Sequence, residues 1–434
     1  MVKILHLSDI HMGSGFSHGR INPETGVNTR LEDFSRALGR CVDDAIAQQV
    51  DLVLFGGDAF PDATPPPYIQ QAFAQEFCRL VEANIPTVLL VGNHDQHAQG
   101  AGGASLCIYR TLGVPGFIVG DTLTTHRIET QSGPIQVITL PWLTRSTLLT
   151  RPETQGLSME AVSELLLEKL RIVLEGEIRK LDAAIPTVLL AHVMTDTARF
   201  GAEKILAVGK GFTVPMAILA RECFDYIALG HVHKHQQVNQ FPLAIYPGSI
   251  ERVDFSEEKE EKGYVLVEIH QGKTTAEFQP LPARAFKTVE VDLTKSKNPQ
   301  SRLIEAIKQV AIAQAVVRVI YQATASQIEK IDNTIIGEAL AAAHSHTIQP
   351  QLVSETSRPR LPELGTDNTL LPMSALQAYL DNRKDLVAIA PDILQAAQAL
   401  LNQDPNGDQA IEKDEEKDEL HTLEIEDSQQ LRLL

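Results

Sequence analysis

Short apolar runs that end abruptly in polar residues are the main pattern in the first half of the chain. Residues 2–7, 51–55, 87–91, 187–190 and 225–229 are nearly all apolar and rich in Val, Leu and Ile. Runs of this length predict strands that are buried on both faces, as in a parallel sheet covered by helices. Segments 31–48, 69–83 and 159–181 have helical apolar spacing, and 135–140, 246–250 and 263–269 complete the predicted sheet region. The alternation predicts an α/β fold.

The pattern changes near residue 282. Strands are predicted at 288–293 and 316–321 and helical segments at 301–310 and 327–343, which together indicate a small α+β domain. Residues 353–368 are polar and contain prolines, as a linker does. Helices predicted at 373–380 and 390–401 are too few to bury their own apolar faces, which suggests a protein partner. The predicted units are a first domain over 1–282, an α+β domain over 284–352, a linker with partner-binding helices over 353–402 and a disordered acidic tail over 403–434.

Charge at first argues against a nucleic-acid partner. The chain has 434 residues and a formal net charge of −18 at pH 7. Residues 404–428, however, hold eleven acidic and two basic residues, so half of the net charge lies in the tail. Metal ions would neutralise carboxylates gathered at a site, and a nucleic-acid partner therefore stays open.

Cysteine usage and the N-terminus predict a cytoplasmic protein. The four cysteines are far apart in the sequence, which predicts buried, reduced thiols rather than disulfides. Residues 1–9 lack the features of a secretory signal. No apolar run approaches the roughly 18 residues that a bilayer requires, so no membrane association is expected.

Polar side chains follow each apolar run where it ends. In chain order these are Asp9, His11, Asp58, Asn93, His94, Asp95, His192, His231 and His233. So many polar groups at the ends of core strands are costly unless something binds them. The carboxyl ends of parallel strands are also where functional groups gather in α/β folds. Asp-x-His and Gly-Asp alone are weak signals that occur in ordinary turns. Their recurrence after five strands favours a functional site.

The chemistry of this set suits a pair of metal ions. Two of the carboxylates, the amide oxygen and four of the five imidazoles can supply two adjacent ions and leave one imidazole for catalysis. Oxygen and imidazole ligands without thiolate suit Mn²⁺, Fe or Zn²⁺ better than Mg²⁺ or Ca²⁺. Two metals roughly 3.5–4 Å apart clamp the attacking and leaving oxygens of a displacement at phosphorus.

A known family shares these motifs. The calcineurin-like metallophosphoesterases resemble this chain at Leu7-Ser8-Asp9-Ile10-His11, Gly57-Asp58, Gly92-Asn93-His94-Asp95, Ala191-His192 and Gly230-His231-Val232-His233. Residues 208–212 and 246–252 are similar to those of the family's bacterial nuclease subunits, which work with an ATPase. The resemblance is strongest over 1–260. It implies a two-sheet α/β sandwich with a small α+β capping domain and a C-terminal helix pair.

The resemblance also implies a role for each residue. Two Mn²⁺ ions would share Asp58, with Fe or Zn²⁺ as alternatives and Mg²⁺ less favoured. One ion would be held by Asp9, His11, Asp58 and His233, and the other by Asp58, Asn93, His192 and His231. His94 would bind no metal; it would stabilise the transition state or protonate the leaving oxygen. Asp95 would orient His94.

The implied activity is Mn²⁺-dependent hydrolysis of DNA phosphodiesters. It comprises an ATP-linked 3′–5′ exonuclease on duplex ends and an endonuclease on single strands, in DNA repair, recombination, replication and hairpin processing. The expected partners are DNA, an ATPase subunit bound through the C-terminal helices, and a second copy of this chain within a heterotetramer. The small domain would cap the site and select DNA.

Two other functions remain open at this point. The first is a metallophosphoesterase acting on a nucleotide, another small phosphodiester or a phosphoprotein, although residues 62–64 lack the Asp-Arg-Gly of protein phosphatases. The second is a metal-poor scaffold that only binds the ATPase, for which a missing ligand would be expected.

One position departs from the family pattern. Relatives often carry His or Asp where this chain has Pro61, so an auxiliary role of that loop is in doubt. Asp62 is a weak candidate to replace it. Arg252 is predicted to support the sheet through hydrogen bonds, and Trp142 is predicted to pack rather than to stack on a base.

Overall fold

The apolar runs lie at the centres of two six-stranded sheets in the computed structural model of the chain. The structure describes residues 1–97, 103–143, 157–199, 213–270, 272–353, 372–381, 383, 386 and 389–401. The motif at 208–212, the predicted linker from residue 354 onward and the predicted acidic tail lie outside the described residues.

Strands and helices alternate along most of the described chain. The strands are β1 Val2–Leu7, β2 Leu52–Phe55, β3 Thr87–Leu90, β4 Phe117–Gly120, β5 Thr124–Thr130, β6 Gly133–Leu140, β7 Thr187–His192, β8 Met194–Thr195, β9 Thr213–Val214, β10 Tyr226–Gly230, β11 Gln236–Asn239, β12 Leu243–Tyr246, β13 Lys262–His270, β14 Lys273–Leu281, β15 Phe286–Asp292, β16 Val316–Ala323 and β17 Ser345–Leu352. The helices are α1 Thr29–Ala47, α2 Pro67–Glu82, α3 Cys107–Thr111, α4 Met159–Ile178, α5 Met216–Leu219, α6 Pro299–Lys308, α7 Ala325–Ile328, α8 Asn333–Ala339, α9 Pro372–Asp381 and α10 Ala390–Leu401.

The two large sheets pack face to face. The first has the order β14–β13–β1–β2–β3–β4 and the second β11–β12–β10–β7–β6–β5. Alternate residues of their central strands form one core between the sheets, including Ile4, Leu54 and Val188. Because β1, β2 and β3 run parallel, as do β6, β7 and β10, their carboxyl ends fall at one edge of each sheet.

Helices cover the outer faces of both sheets. Apolar residues of α1 and α2 pack together on the first sheet in one core. Those of α4 pack on the second sheet in another. The start of α1 is fixed by Asn28, whose side chain accepts a hydrogen bond from the backbone N–H of Arg30. The predicted α/β sandwich with two sheets is therefore confirmed.

A smaller parallel sheet follows in the chain. It has the order β15–β16–β17, with α6 connecting the first pair and α7 and α8 the second. It has its own core, which includes Leu303 and Ile307 of α6. The chain separates into a unit of residues Met1–Leu352 and a second unit of Val353–Leu434, which contains α9 and α10.

Several sequence predictions need correction. The strand expected at 246–250 ends at Tyr246, because Pro247 cannot donate to a ladder and Gly248 has φ of 81°. The segment 327–343, expected to be mainly helical, is helical only in α7 and α8. Strand β17 was not predicted, because its sequence is polar and it forms only by pairing with β16. Cysteines are unpaired as expected, but only Cys41 is buried, whereas Cys78 and Cys223 are exposed.

No helix among the described residues has the length and apolar character needed to cross a membrane.

The core under α4 gives a direct test of the packing. Leu174 is 2% exposed and Ile172 is 61% exposed on the same helix. We expect Leu174→Ala to lower the free energy of unfolding by about 2–5 kcal/mol, because it leaves a cavity against the second sheet. Ile172→Ala, the matched control, should change it by no more than about 0.5 kcal/mol. Urea unfolding followed by far-UV circular dichroism measures both, and equal effects would contradict the packing.

Candidate metal centre

The carboxyl ends of five strands from the two large sheets meet at one place. Those of β1, β2 and β3 come from the first sheet and those of β7 and β10 from the second. A Cβ atom on Gly230 would lie 2.0 Å from the carbonyl oxygen of Gly56, so the two sheets touch here without intervening side chains. On Gly92 a Cβ would lie 2.2 Å from Oδ1 of Asp58. Glycine at these positions allows the polar residues that follow to converge.

The loops after these strands have an unusual backbone conformation. Asp9, His11, Asp58 and His231 have φ values of 52°, 47°, 59° and 102°. Residues other than glycine seldom adopt this region, and they concentrate at functional sites when they do. Backbone hydrogen bonds hold the first two loops together, from Asp9 N to Gly57 O at 3.0 Å and from His11 N to Asp58 O at 3.0 Å. The side chains are thus directed by a rigid backbone.

One cluster of potential metal ligands is formed by Asp9, His11 and His233. One ligand atom from each lies within 4.8 Å of the others. The Nε2 atoms of His11 and His233 are 3.0 Å apart. Ser8 Oγ donates a hydrogen bond to Asp9 Oδ2 at 2.5 Å, which fixes that carboxylate.

A second cluster is formed by Asp58, His192 and His231, again within 4.8 Å. Oδ1 of Asn93 lies 3.0 Å from His192 Nε2 and 2.9 Å from His231 Nδ1, so it belongs to the same group. Nδ1 of His192 donates to the carbonyl oxygen of Gly56 at 2.6 Å, which turns Nε2 toward the cluster.

Asp58 lies between the two clusters. Its Oδ2 atom is 3.6 Å from His11 Nε2 and 3.3 Å from His192 Nε2. His11, Asp58 and His94 form a third grouping within 4.8 Å. The geometry therefore gives one carboxylate access to both candidate sites, and the shared role of Asp58 stays a prediction.

Burial and charge set the ionisation of these groups. Burial acts to raise the pKa of Asp58, but the imidazoles of His192, His11 and His94 together outweigh it and hold the pKa well below its usual value. Burial acts to lower the pKa of His192, but Asp58, Asp9 and the Gly56 carbonyl together outweigh it and raise the pKa to about 9. Burial raises the pKa of Asp9 and lowers that of His231 to about 3. His231 is thus neutral, the form in which imidazole binds metal.

The residues fit a pair of divalent cations. Nε2 of His231 is buried and has no hydrogen-bond partner within the described structure, an arrangement that costs free energy unless a ligand completes it. Asp58 and Asp9 bring two carboxylates into a buried site rich in imidazole, with no thiolate among the clustered groups. The individual ligand assignments stay predictions.

His94 lies beside the first cluster. Its ring centroid is 4.9 Å from that of His11, and its backbone N–H donates to Asp58 Oδ1 at 2.8 Å. Its Nδ1 donates to the carbonyl oxygen of Pro61 at 2.8 Å, which leaves Nε2 for the site. A backbone carbonyl therefore supplies this contact at Pro61, where the side chain departs from the family pattern. Asp62 accepts hydrogen bonds from Thr64 in a local turn.

Asp95, expected to orient His94, bonds to backbone N–H groups rather than to the His94 ring. Its carboxylate is fully buried and accepts hydrogen bonds from the backbone N–H groups of Asp58, Ala59 and Gly92 at 2.9, 3.0 and 2.9 Å. Burial raises its pKa to about 7. Asp95 thus joins the loops after β2 and β3, and it acts on His94 only through the backbone.

One contact that holds His233 was not predicted from the sequence. Glu257 Oε1 accepts from His233 Nδ1 at 2.7 Å, and the fully buried Lys262 lies 2.7 Å from Glu257 Oε2. Glu257 was not predicted because it stands in the charged run of residues 257–261, which is typical of a solvated surface. Trp142, predicted to pack, has its ring 4.7 Å from that of His231.

Arg252 was expected to support the sheet, and it holds loops instead. Its guanidinium donates to the carbonyl oxygens of Glu257, Glu260 and Arg284 at 3.1, 2.6 and 3.1 Å. These bonds tie the turn that carries Glu257 to the segment that leads into β15.

Comparison with known proteins places this site in a family. The model for calcineurin-like phosphoesterases matches residues 2–235, more than half of the chain and all five of the strand ends just described. The chain belongs to this family. Membership of the family makes this calcineurin-like phosphoesterase a phosphoester hydrolase, the broader class predicted from the motifs.

Relatives and solved structures are similar to parts of the phosphoesterase. The SbcD subunit of the nuclease SbcCD from Staphylococcus epidermidis is 26% identical over 300 residues, which are 67% of this chain and 73% of the relative. TT1561 of Thermus thermophilus has 17% identity and a TM-score of 0.35 over 64% of this chain and 98% of its own. A dimetal phosphatase from Danio rerio has 13% identity and a TM-score of 0.38 over 63% and 98%.

Metal content tests the first cluster. We expect the wild-type phosphoesterase to retain two ions per chain after dialysis against Mn²⁺ and then buffer. His233→Ala should lose about one of them, because that ion would then have one protein ligand fewer. Elemental analysis measures the content. The exposed His270 provides the control, since His270→Ala should keep both ions. Full occupancy in His233→Ala would refute its assignment as a ligand.

Proposed function

We propose that this phosphoesterase is the nuclease subunit of an SbcCD-type complex and hydrolyses DNA phosphodiesters in a Mn²⁺-dependent reaction. The convergence of the two ligand clusters beside His94 is the observation that carries the phosphodiesterase part of the proposal. The similarity to the SbcD subunit of the nuclease SbcCD supports DNA as the substrate. The proposed activities are an ATP-linked 3′–5′ exonuclease on duplex ends and a single-strand endonuclease, which serve DNA repair, recombination, replication and hairpin processing.

Each ligand cluster is proposed to hold one of the two metal ions. Asp9, His11 and His233 would hold one ion, and Asn93, His192 and His231 the other. Asp58 would contribute to both, since it lies within 3.6 Å of a histidine nitrogen from each cluster. Bound divalent cations would supply positive charge that stabilises the transition state at phosphorus. They would also lower the pKa of bound water, so that hydroxide is available near neutral pH.

His94 is the proposed catalytic acid. Because its Nδ1 donates to the Pro61 carbonyl, Nε2 is the ring nitrogen left to act on the substrate. A proton delivered from this atom would neutralise the leaving oxygen as the bond to phosphorus breaks. The same ring would also stabilise negative charge on the phosphoryl oxygens by hydrogen bonding. Asp95 contributes by holding the loop that carries His94 in place.

The remaining segments suit the proposed partners. The domain of residues 284–352 is proposed to cap the site and to select DNA. In the second unit, α9 and α10 contact each other, and Tyr379 and Ile389 in and beside them are 38% and 48% exposed. Their apolar surface is proposed to bind the ATPase subunit, SbcC, in a cytoplasmic heterotetramer that contains two copies of this chain.

A phosphoesterase for nucleotides or other small phosphodiesters is the alternative. Its metal clusters and His94 would be the same, so the fold does not distinguish it from a nuclease. The substrate that is cleaved distinguishes the two functions. Hydrolysis of a small phosphodiester such as bis(p-nitrophenyl) phosphate, with no cleavage of single-stranded or duplex DNA in the presence of the ATPase and ATP, would favour the alternative.

His94→Asn tests the catalytic proposal. We expect DNA cleavage to fall by a factor of roughly 10²–10⁴, because the amide cannot donate a proton to the leaving oxygen. The Mn²⁺ content should stay at the wild-type value, since His94 is not a proposed ligand. Steady-state cleavage of a labelled oligonucleotide and elemental analysis measure the two quantities. Unchanged cleavage would remove His94 from the mechanism, and lost metal would make it a ligand.

Metal dependence tests the proposed cofactor. Cleavage should require Mn²⁺, be much weaker with Mg²⁺ and stop with a chelator, because the ligand set is rich in imidazole. Duplex ends should be degraded only with the ATPase subunit and ATP. A chain that cleaves DNA at the same rate in chelator as in Mn²⁺ would contradict the metal mechanism.

A further inference from the structure

A single short turn contacts both the metal centre and the small sheet. This turn, Phe255–Glu257, is a 3₁₀ helix that begins after Asp254, whose side chain accepts from the N–H of Ser256 at 2.7 Å. Phe255 is 9% exposed and Glu257 is 3% exposed, so both of its end residues are buried. The side chain of Glu257 contacts His233, and that of Phe255 contacts the small sheet.

Glu257 fixes the orientation of His233. Because Oε1 accepts from His233 Nδ1 at 2.7 Å, the ring keeps Nε2 directed toward His11, where it lies 3.0 Å from the other Nε2. A carboxylate that holds the second nitrogen of a ligating histidine sets its tautomer and raises its basicity. Glu257 is therefore a positioning residue for the first cluster.

Glu257 is itself held rigidly. Its Oε2 atom lies 2.7 Å from Lys262 Nζ and accepts from the N–H of Val253 at 3.0 Å. Lys262, with no exposed side-chain surface, also donates to the carbonyl oxygen of His233 at 3.1 Å. A shift of the turn would therefore move the carboxylate and the imidazole together.

Phe255 binds the turn to the small sheet. Its ring lies 4.9 Å from that of Phe286 in β15 in an edge-on arrangement, and these two residues form a buried cluster with Val316 of β16. The guanidinium carbon of Arg318, also in β16, is 4.4 Å from the centre of the Phe255 ring. The apolar end of the turn is thus packed against the small sheet on two adjacent strands.

We propose that the Phe255–Glu257 turn transmits the position of the small sheet to the metal centre, so that the cluster of Asp9, His11 and His233 binds its ion tightly only while β15 and β16 are packed on Phe255. The proposal deepens the proposed function and rests on its assignment of His233 as a ligand. A partner or DNA that displaces the small sheet would weaken this ion without touching any ligand, which provides a means of regulation.

The decisive variants change the small sheet and leave the metal centre intact. Phe286 contacts Phe255 but no proposed ligand, and it is fully buried. We expect Phe286→Ala in the full chain to weaken the binding of one Mn²⁺ by about tenfold while the other ion is unaffected. Phe286→Leu retains apolar volume and should lose less affinity. Calorimetric titration of the metal-free chain with Mn²⁺ measures both affinities.

A matched control separates this effect from lost stability. Leu303 in α6 is equally buried in the core of the small sheet but belongs to a cluster that lacks Phe255. Leu303→Ala should lower the unfolding midpoint and leave both Mn²⁺ affinities at their wild-type values. If Leu303→Ala weakens Mn²⁺ as much as Phe286→Ala, general destabilisation explains the result and the inference is overturned.

A double variant tests the route through Glu257. Glu257→Gln alone should weaken one Mn²⁺ by about tenfold. Phe286→Ala combined with Glu257→Gln should bind no more weakly than Glu257→Gln alone, because residues acting in series are not additive. Additive losses, or wild-type affinity in Phe286→Ala, would overturn the inference and leave the proposed function standing. A wild-type chain that binds Mn²⁺ but cleaves no DNA would contradict only the proposed substrate, and one that binds no Mn²⁺ would overturn both proposals.

Discussion

The close approach of two sheets at their carboxyl ends is the constraint on which the site depends. Gly230 and Gly56 touch through backbone atoms, which leaves no room for a side chain between β10 and β2. This contact brings Asp58, at the end of one sheet, within 3.3 Å of His192, at the end of the other. Neither sheet alone carries both clusters. The sandwich therefore builds the centre by joining two edges, each of which supplies part of the ligand set.

Polar groups in such a place must be satisfied from the surrounding backbone. Asp95 accepts three backbone N–H bonds, and His192 and His94 each donate to a carbonyl oxygen. In His192 and His94 those bonds use the ring nitrogen that faces the protein and leave the other nitrogen for the site. The cost of burying carboxylates and imidazoles is thus offset on one side by the fold. The side that remains has the composition of a divalent-cation site.

The imidazole of His233 differs from those of His192 and His94, because a side chain, that of Glu257, accepts from its Nδ1. Glu257 reaches it from a turn that is held by Arg252 and Lys262, two cations that bond to carbonyl oxygens of the same loop region. Hydrogen bonds from the backbone at strand ends form wherever the sheets form. The bond from Glu257, which lies in a separate turn, depends also on the residues that pack against that turn. This difference makes the first cluster the part of the centre that can respond to the rest of the molecule.

The sequence by itself determined the α/β class, the five central strands and the polar residues that end them, because apolar runs and the breaks between them are local properties of the chain. It also indicated which of those residues belong to one site, since parallel strands place their carboxyl ends at a common edge. The tertiary structure alone decided what holds each residue in place. Asp95 bonds to three amides rather than to the His94 ring, the Pro61 carbonyl accepts from His94 Nδ1, and Glu257 lies buried although its neighbours in sequence are charged. These contacts join positions far apart in the chain, and burial, which gives them their strength, is a property of the packed molecule and not of any segment.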